Sequence, residues 1–284
     1  MKEIFSKYQT FLLRRGLSER SLEYYLWHCK KFFEYTKCQI KDFWNLEQFR
    51  KKYDKIIARN ISNEGKKKYL KCMRIFWDFL IEENLIFENV ARKVKPPKVQ
   101  LALPIPVEDT EIRDIFQAVS RRWSWMLAYR NRMIIETFLN TWLRRSELIN
   151  LKRCDISKSH ITVRCWKWWK DRIVYLPVSF LPSLEEYLIR TDGVSEYLFF
   201  SLRSKKISIR AMSKIFEEIK KEARIDILHA HRMRHTYASR VIESGISLAV
   251  LRDQLWHSNI ATTSRYIAVR NKYREEEMRK FRIL

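Results

Sequence analysis

His231, Arg234, His257 and Tyr266 fall within one stretch, residues 228–271, and their types suit phosphoryl transfer. An arginine's planar fork can bind two non-bridging oxygens at once. A histidine moves a proton or donates a hydrogen bond near neutral pH. A tyrosine hydroxyl is a nucleophile that leaves a covalent intermediate. If Arg234 opens a helix, His231 and Arg234 lie three apart and share a face. Met233, Tyr237, Val241 and Ile242 then form the apolar side, and Gly245 stops the helix. Ser247 can cap a second helix carrying Leu248, Leu251 and Leu255. Tyr266 is expected on a third, short helix beyond Ser258 and Asn259.

The elements that must position these groups read mainly as helices. Apolar spacing at Ile4, Tyr8, Phe11 and Leu12 predicts a helix over 3–14, ended by Gly16. Ser18 can cap a second helix with Leu22, Tyr25, Leu26, Cys29 and Phe33 facing inward. Further helices are predicted over 44–59 and 63–83. The last of these carries Tyr69, Met73, Phe76 and Leu80 on one face and Lys66, Lys67, Lys68 and Lys71 on the other, either a solvated face or a basic binding face. Four prolines within 94–106 read as a linker, because such a run cannot be helix interior. Helices are again expected over 108–119, 123–139, 181–190 and 208–223. Residues 160–177 carry the clearest β pattern, with Ile161, Val163 and Cys165 alternating in one arm and Ile173 and Tyr175 in the returning arm.

With 57 Lys+Arg against 33 Asp+Glu, the net charge is +24, which points to a polyanionic partner. The surplus is not local: residues 1–106 carry 23 basic against 12 acidic side chains, and residues 107–284 carry 34 against 21. Both halves are therefore expected to face the same polyanion. Cys29, Cys38, Cys72, Cys154 and Cys165 are odd in number and lack C-x-x-C spacing, which argues against a disulfide framework or a cysteine zinc site. No signal-peptide pattern is visible and no apolar run reaches membrane-spanning length. The expected setting is a reducing cytoplasm. His229, His231 and His235 could be read as a metal site, His231 and His235 being one helical turn apart. No acidic or cysteine ligand clusters with them, so no metal is expected.

Three motifs then stand in order: H-R-M-R-H at His231–His235, L-W-H-S around His257, and T-T-S-R-Y ending at Tyr266. Upstream lies N-T-W-L-R-R-S-E-L, containing Arg144 and Glu147. These segments resemble the signature of the tyrosine recombinases, the phage integrase family that includes Cre and the Xer proteins. That family reads T-G-L-R-x-S-E-L, H-x-L-R-H, L-G-H-S and T-T-x-x-Y at these spacings. The resemblance implies a mainly α fold with a small β-sheet, divided into three parts. Residues 1–93 would be a helical, SAM-like core-binding domain that clamps the far side of a DNA duplex. Residues 94–106 would be the linker, and residues 107–284 an α+β catalytic domain with a C-terminal tail.

The resemblance also implies roles. Tyr266 would attack a phosphodiester and leave a 3′-phosphotyrosine and a free 5′-hydroxyl. Arg144 and Arg234 would hold the non-bridging oxygens. His231 would assist proton transfer at Tyr266, His257 would hydrogen-bond the phosphate, and Glu147 would orient a neighbouring basic side chain. The family's catalytic lysine lies in the β-hairpin in a pattern like G-K-G-x-K-x-R. Here the hairpin reads W-K-W-W-K-D-R, which assigns the role to Lys167, rather than Lys170, and implies a different turn. The family glycine before Leu143 is Trp142, which implies a different local turn there too. No cofactor is expected. The implied partner is double-stranded DNA, bound by a tetramer on two sites with protomers linked by the tail after Asn271, and the implied location is the cytoplasm, at the nucleoid. The activity would be site-specific recombination: integration, excision, inversion or dimer resolution. Two other readings stay open. One is a type IB topoisomerase-like relaxing enzyme; the other is a non-catalytic DNA-binding protein on the same scaffold.

Overall fold

A computed structural model describes residues 1–37, 45–99, 105–164 and 171–246. The chain divides into two compact units, Met1–Leu101 and Ala102–Leu284, so the division falls within the proline-rich stretch. Lys167, His257, Tyr266, the helices expected after Ser247 and the C-terminal tail lie outside the described residues.

The first unit is helical: α1 (Lys2–Arg14), α2 (Glu19–Thr36), α3 (Leu46–Ile57), α4 (Asn63–Glu82) and the single turn α5 (Val90–Lys93). Local chemistry sets their starts. Ser18, Asn45 and Ser62 each accept a hydrogen bond from a backbone N–H three residues on, which satisfies an otherwise orphaned donor. The core is aromatic. Phe76 of α4 meets Tyr8 of α1 edge-on with centroids 4.8 Å apart, and Trp77 meets Phe49 of α3 in the same way at 5.1 Å. At roughly 1.5–3 kcal/mol for each large apolar side chain fully buried, α4, which buries Tyr69, Leu70, Cys72, Met73, Phe76, Trp77, Phe79 and Leu80, is the element this unit is built on. Lys67, Lys68 and Lys71 are exposed on it, while Lys66 is half-buried and its carbonyl accepts from the Tyr53 hydroxyl at 2.9 Å.

The second unit contains α6 (Asp109–Arg122), α7 (Trp125–Asn140), α8 (Arg145–Leu148), strands β1 (His160–Val163) and β2 (Arg172–Tyr175), then α9 (Leu181–Arg190), α10 (Ile209–Glu222) and α11 (Ala230–Glu243). Among the described residues the sheet is this one antiparallel pair, with Ile161 opposite Val174 and Val163 opposite Arg172. The central helix α7 buries Met133, Ile134, Ile135 and Phe138 and packs against α6, α9 and α11.

Two local expectations are corrected. The helix bearing the H-R-M-R-H motif opens at Ala230, four residues before Arg234, because the His229 ring accepts the Arg232 N–H at 3.0 Å and serves as its cap. In the returning arm of the hairpin, Ile173 and Tyr175 are exposed while Arg172 and Val174 are buried, so its apolar alternation pointed to the wrong face. Gly245 ends α11 with φ of +82°, a left-handed conformation that glycine adopts without steric penalty.

Candidate active site

The short segment between α7 and α8 leads directly into the site. Thr141 is extended (φ −141°, ψ 157°), as is Arg144 (φ −74°, ψ 152°), and Trp142 has no positive φ. A tryptophan is therefore accommodated here without backbone strain, although the family pattern has glycine. Arg144 caps the turn α8. The Glu147 carboxylate reaches back to the Arg144 N–H at 2.7 Å and also accepts from its guanidinium at 2.8 Å.

Glu147 has a second partner that the sequence reading passed over. Arg172 of β2 grips the same carboxylate with two bonds, at 2.9 and 2.7 Å, and its side chain is 2 % exposed. This two-pronged geometry combines charge with fixed orientation. Burial pushes the Glu147 carboxyl up, but the Arg172 bonds and charge, together with the bonds from Arg144, outweigh it and hold its pKa at about 2. The Glu147 carboxylate is thus shared between Arg144 and Arg172. The neighbouring Arg145 turns elsewhere and donates to Ser213 at 2.8 Å.

Glu147→Gln removes the charge facing a buried arginine, and a loss of about 3–5 kcal/mol in stability is expected. The carboxyl pKa is lowered from an ordinary 4.5 to about 2 on folding. Its contribution is therefore complete above pH 4.5 and disappears as pH falls towards 2, a span worth about 3 kcal/mol. Urea unfolding followed between pH 6 and pH 2 should show this acid limb in the wild type and a flatter one in Glu147→Gln. Equal limbs would contradict the ion-pair account.

Helix α11 carries two buried arginines with different duties. All five N–H donors of Arg232 are used: on both oxygens of Glu111 at 2.9 and 2.6 Å, and on the carbonyls of Ile105, Pro106 and Ile227. Arg232 is thus a brace between α11, α6 and the incoming chain, and Thr236, one turn on, accepts the Val107 N–H at 2.8 Å. Arg234 is 5 % exposed and its guanidinium carbon lies over the Trp142 ring, 4.0 Å from the centroid. Arg234 therefore meets the segment that ends in Arg144.

His231 is exposed and makes edge contact with His235, centroids 4.2 Å apart, while the Trp142 and His235 centroids are 6.2 Å apart. A pocket of about 390 Å³ opens beside α11, lined by His229, His231, Arg232 and His235 with Glu111, Asp226, Ile105 and Ile227. Burial, then the charge of Arg232, lowers the His229 pKa. Among the described residues no group of three or more His, Cys, Asp or Glu side chains is arranged to hold a metal ion.

The profile of the Phage integrase family matches residues 107–272, more than half of the chain. The chain belongs to the phage integrase family. It is a tyrosine recombinase, an enzyme of site-specific DNA recombination. Tyrosine recombinase XerA of Pyrococcus furiosus is 28 % identical over 289 residues, covering 99 % of this chain and 95 % of that protein. Tyrosine recombinase XerC of Leptospira interrogans is 27 % identical over 290 residues, covering 99 % and 93 %. Among solved structures, a truncated lambda integrase dimer bound to a COC′ core site superposes with a TM-score of 0.76 at 18 % identity, covering 100 % of this chain and 98 % of that one. The recombinase motif residues Arg144, Glu147, His231 and Arg234 all lie inside the matched segment, as do Lys167, His257 and Tyr266.

Proposed function

We propose that this recombinase cuts and rejoins double-stranded DNA through a 3′-phosphotyrosine formed by Tyr266, with Arg144 and Arg234 clasping the scissile phosphate. The observation that carries the reading is the meeting of the two arginines' supports: Trp142, beneath Arg234, is two residues from Arg144 on the same extended segment. Charge accumulates on non-bridging oxygens in the transition state, and donors fixed before the reaction stabilise it most. Arg144 is held by Glu147 and, through it, by Arg172, so no reorganisation is needed as that charge develops. Lys167 supplies the proton to the departing 5′ oxygen, His231 assists proton transfer at Tyr266, and His257 hydrogen-bonds the phosphate. The covalent bond keeps the energy of the broken linkage, so a 5′-hydroxyl from another strand can reverse the step and exchange strands.

Residues 1–93 serve as the core-binding half of a clamp, residues 94–106 as its linker and residues 107–284 as the catalytic half. Lys66, Lys67, Lys68 and Lys71 are the phosphate contacts of the first half. Lys66, Lys67 and Lys68 lie in the first two turns of α4 and Lys71 at the start of the third. Among the described residues no helix is long and apolar enough to cross a membrane. The place of action is the cytoplasm, at the DNA itself. A λ integrase tetramer has been solved on a Holliday junction, and we assign this recombinase the same arrangement, four protomers on two sites joined through the tail after Asn271.

The direct test is covalent capture on a nicked duplex carrying a site selected by binding from a randomised library. The lysine assignment has its own test. Each phosphate contact contributes about −0.9 to the slope of log K against log salt. Replacing Lys66, Lys67, Lys68 and Lys71 together by Gln is expected to flatten that slope by about 3 to 4 and to weaken binding across DNA sequences. An unchanged slope would remove these lysines from the interface.

A further inference from the structure

We infer that Trp142 is a positioning residue for phosphate recognition, its indole face holding the Arg234 guanidinium at a fixed place relative to Arg144. The inference rests on the reading of Arg144 and Arg234 as phosphate ligands. Three observations support it. The Arg234 guanidinium carbon lies 4.0 Å from the Trp142 ring centroid, a distance at which a cation is attracted to the ring face. Both side chains are almost wholly buried, Trp142 at 2 % and Arg234 at 5 % exposure, so solvent does little to weaken the attraction. Trp142 also packs with Tyr237, Ala238 and Ile242 in a small apolar cluster of its own, apart from the main core, which ties the 141–144 segment to α11.

These contacts solve a geometric problem. Arg144 enters from the end of α7 and Arg234 from the first turns of α11, and a phosphate clasp requires a set spacing between them. Arg144 is fixed by Glu147 within its own segment. Arg234 is fixed by a ring two residues from Arg144 on that same segment. A guanidinium held over a ring face is restricted in position while its N–H donors remain directed around its edge, where phosphate oxygens are bound. A glycine at this position would provide neither the face nor the apolar anchor. The expected role is in the chemical step rather than in DNA affinity, because DNA binding is dominated by many other phosphate contacts.

The test uses the full chain and the nicked duplex described above, with single-turnover adduct formation and DNA Kd measured on each variant. Trp142→Phe, which keeps a ring face, should form adduct within about three-fold of the wild-type rate. Trp142→Met, which keeps an apolar side chain without the face, should be slower by about ten-fold with Kd within about two-fold. Equal loss in both, or no loss in Trp142→Met, would overturn the role of the ring. Should Trp142→Met melt at the assay temperature, Trp142→Phe carries the comparison in a double-mutant cycle. In an Arg234→Lys background its small effect should vanish if Trp142 acts through the guanidinium, and an additive effect would overturn the inference. Arg234→Lys also separates the two readings. If it cleaves at the wild-type rate, the phosphate-clasp reading falls and the Trp142 role with it. If it is slow while Trp142→Met is not, the clasp stands and the Trp142 role alone is lost.

Discussion

Tyr266→Phe is expected to bind its DNA site as well as the wild type and to form no covalent adduct, a loss of at least about 10³-fold. The substitution removes one oxygen and leaves the ring, so packing and DNA affinity should be preserved. In the proposed step the phenolic oxygen would bond to phosphorus, the bond from phosphorus to the 5′ oxygen would break, and that oxygen would leave with a proton from Lys167. Without the phenol no bond can form. The chain has 13 tyrosines, so a control is needed. Tyr237 is the most instructive, since it lies two turns before the end of α11 in the same motif region. It is 9 % exposed and packs with Trp142, and burial raises its hydroxyl pKa. Tyr237 is thus a structural tyrosine, and Tyr237→Phe should retain adduct formation. The proposed groups are cationic or neutral apart from Glu147, which is occupied by two arginines, so they offer no carboxylate cluster suited to Mg²⁺. The adduct should therefore also form in EDTA. An undiminished adduct in Tyr266→Phe, or one that needs added metal, would sink the assignment.

The family could be read from the sequence because its evidence is local. Motif spacing is preserved along the chain whatever the packing, and the 3.6-residue apolar repeat places long helices such as α4 and α7 to within a few residues. What stayed hidden depends on partners far away in sequence. Arg172 sits in the strand Arg-Ile-Val-Tyr, in which either alternate face carries apolar residues, so periodicity could not choose between them. The choice falls to Glu147, 25 residues upstream, whose carboxylate compensates a buried guanidinium. The early start of α11 was hidden for a different reason. Histidine is an uncommon helix cap, and His229 acts as one through a ring nitrogen rather than through the short oxygen side chains that usually mark a helix start. Trp142 was visible as a departure from the family pattern and suggested a changed turn. The backbone is extended at Thr141 and Arg144, Trp142 has no positive φ, and its ring supplies a contact to Arg234. Arg232 and Arg234 look alike in the motif. The structure places Arg232 as a brace, with five bonds to Glu111 and to the carbonyls of Ile105, Pro106 and Ile227, and Arg234 over the Trp142 ring.

Truncation after Asn271 is expected to leave single-site DNA binding within about two-fold of the wild type while lowering recombination by about 100-fold or more. Strand exchange needs two duplexes, each cut by two active sites, and this chain has one candidate nucleophile, so four protomers must meet. The segment after Asn271 carries the apolar residues Met278, Phe281, Ile283 and Leu284. Burial of Phe281 and Leu284 on a neighbour contributes about 1.5–3 kcal/mol each. Together that is about 3–6 kcal/mol, a dissociation constant centred near 0.5 mM (about 6 mM to 40 μM), so protomers at micromolar concentration in free solution stay mostly apart. Protomers bound side by side on DNA see each other at an effective concentration of about 1 mM, where the same contact is substantially occupied. On the proposed reading, DNA binding by one protomer would draw on basic side chains in both units and make no demand on this contact. Assembly would demand it at each of the junctions between four protomers, so a modest loss per junction would multiply into a large loss of product. Only five residues separate Tyr266 from the cut at Asn271, so seating of the tail on a neighbour is also positioned to influence the nucleophile. Gel shift and recombination measured on the same truncated protein decide the matter. Recombination at the wild-type level would mean that the tail packs on its own domain and that the protomers meet through another surface.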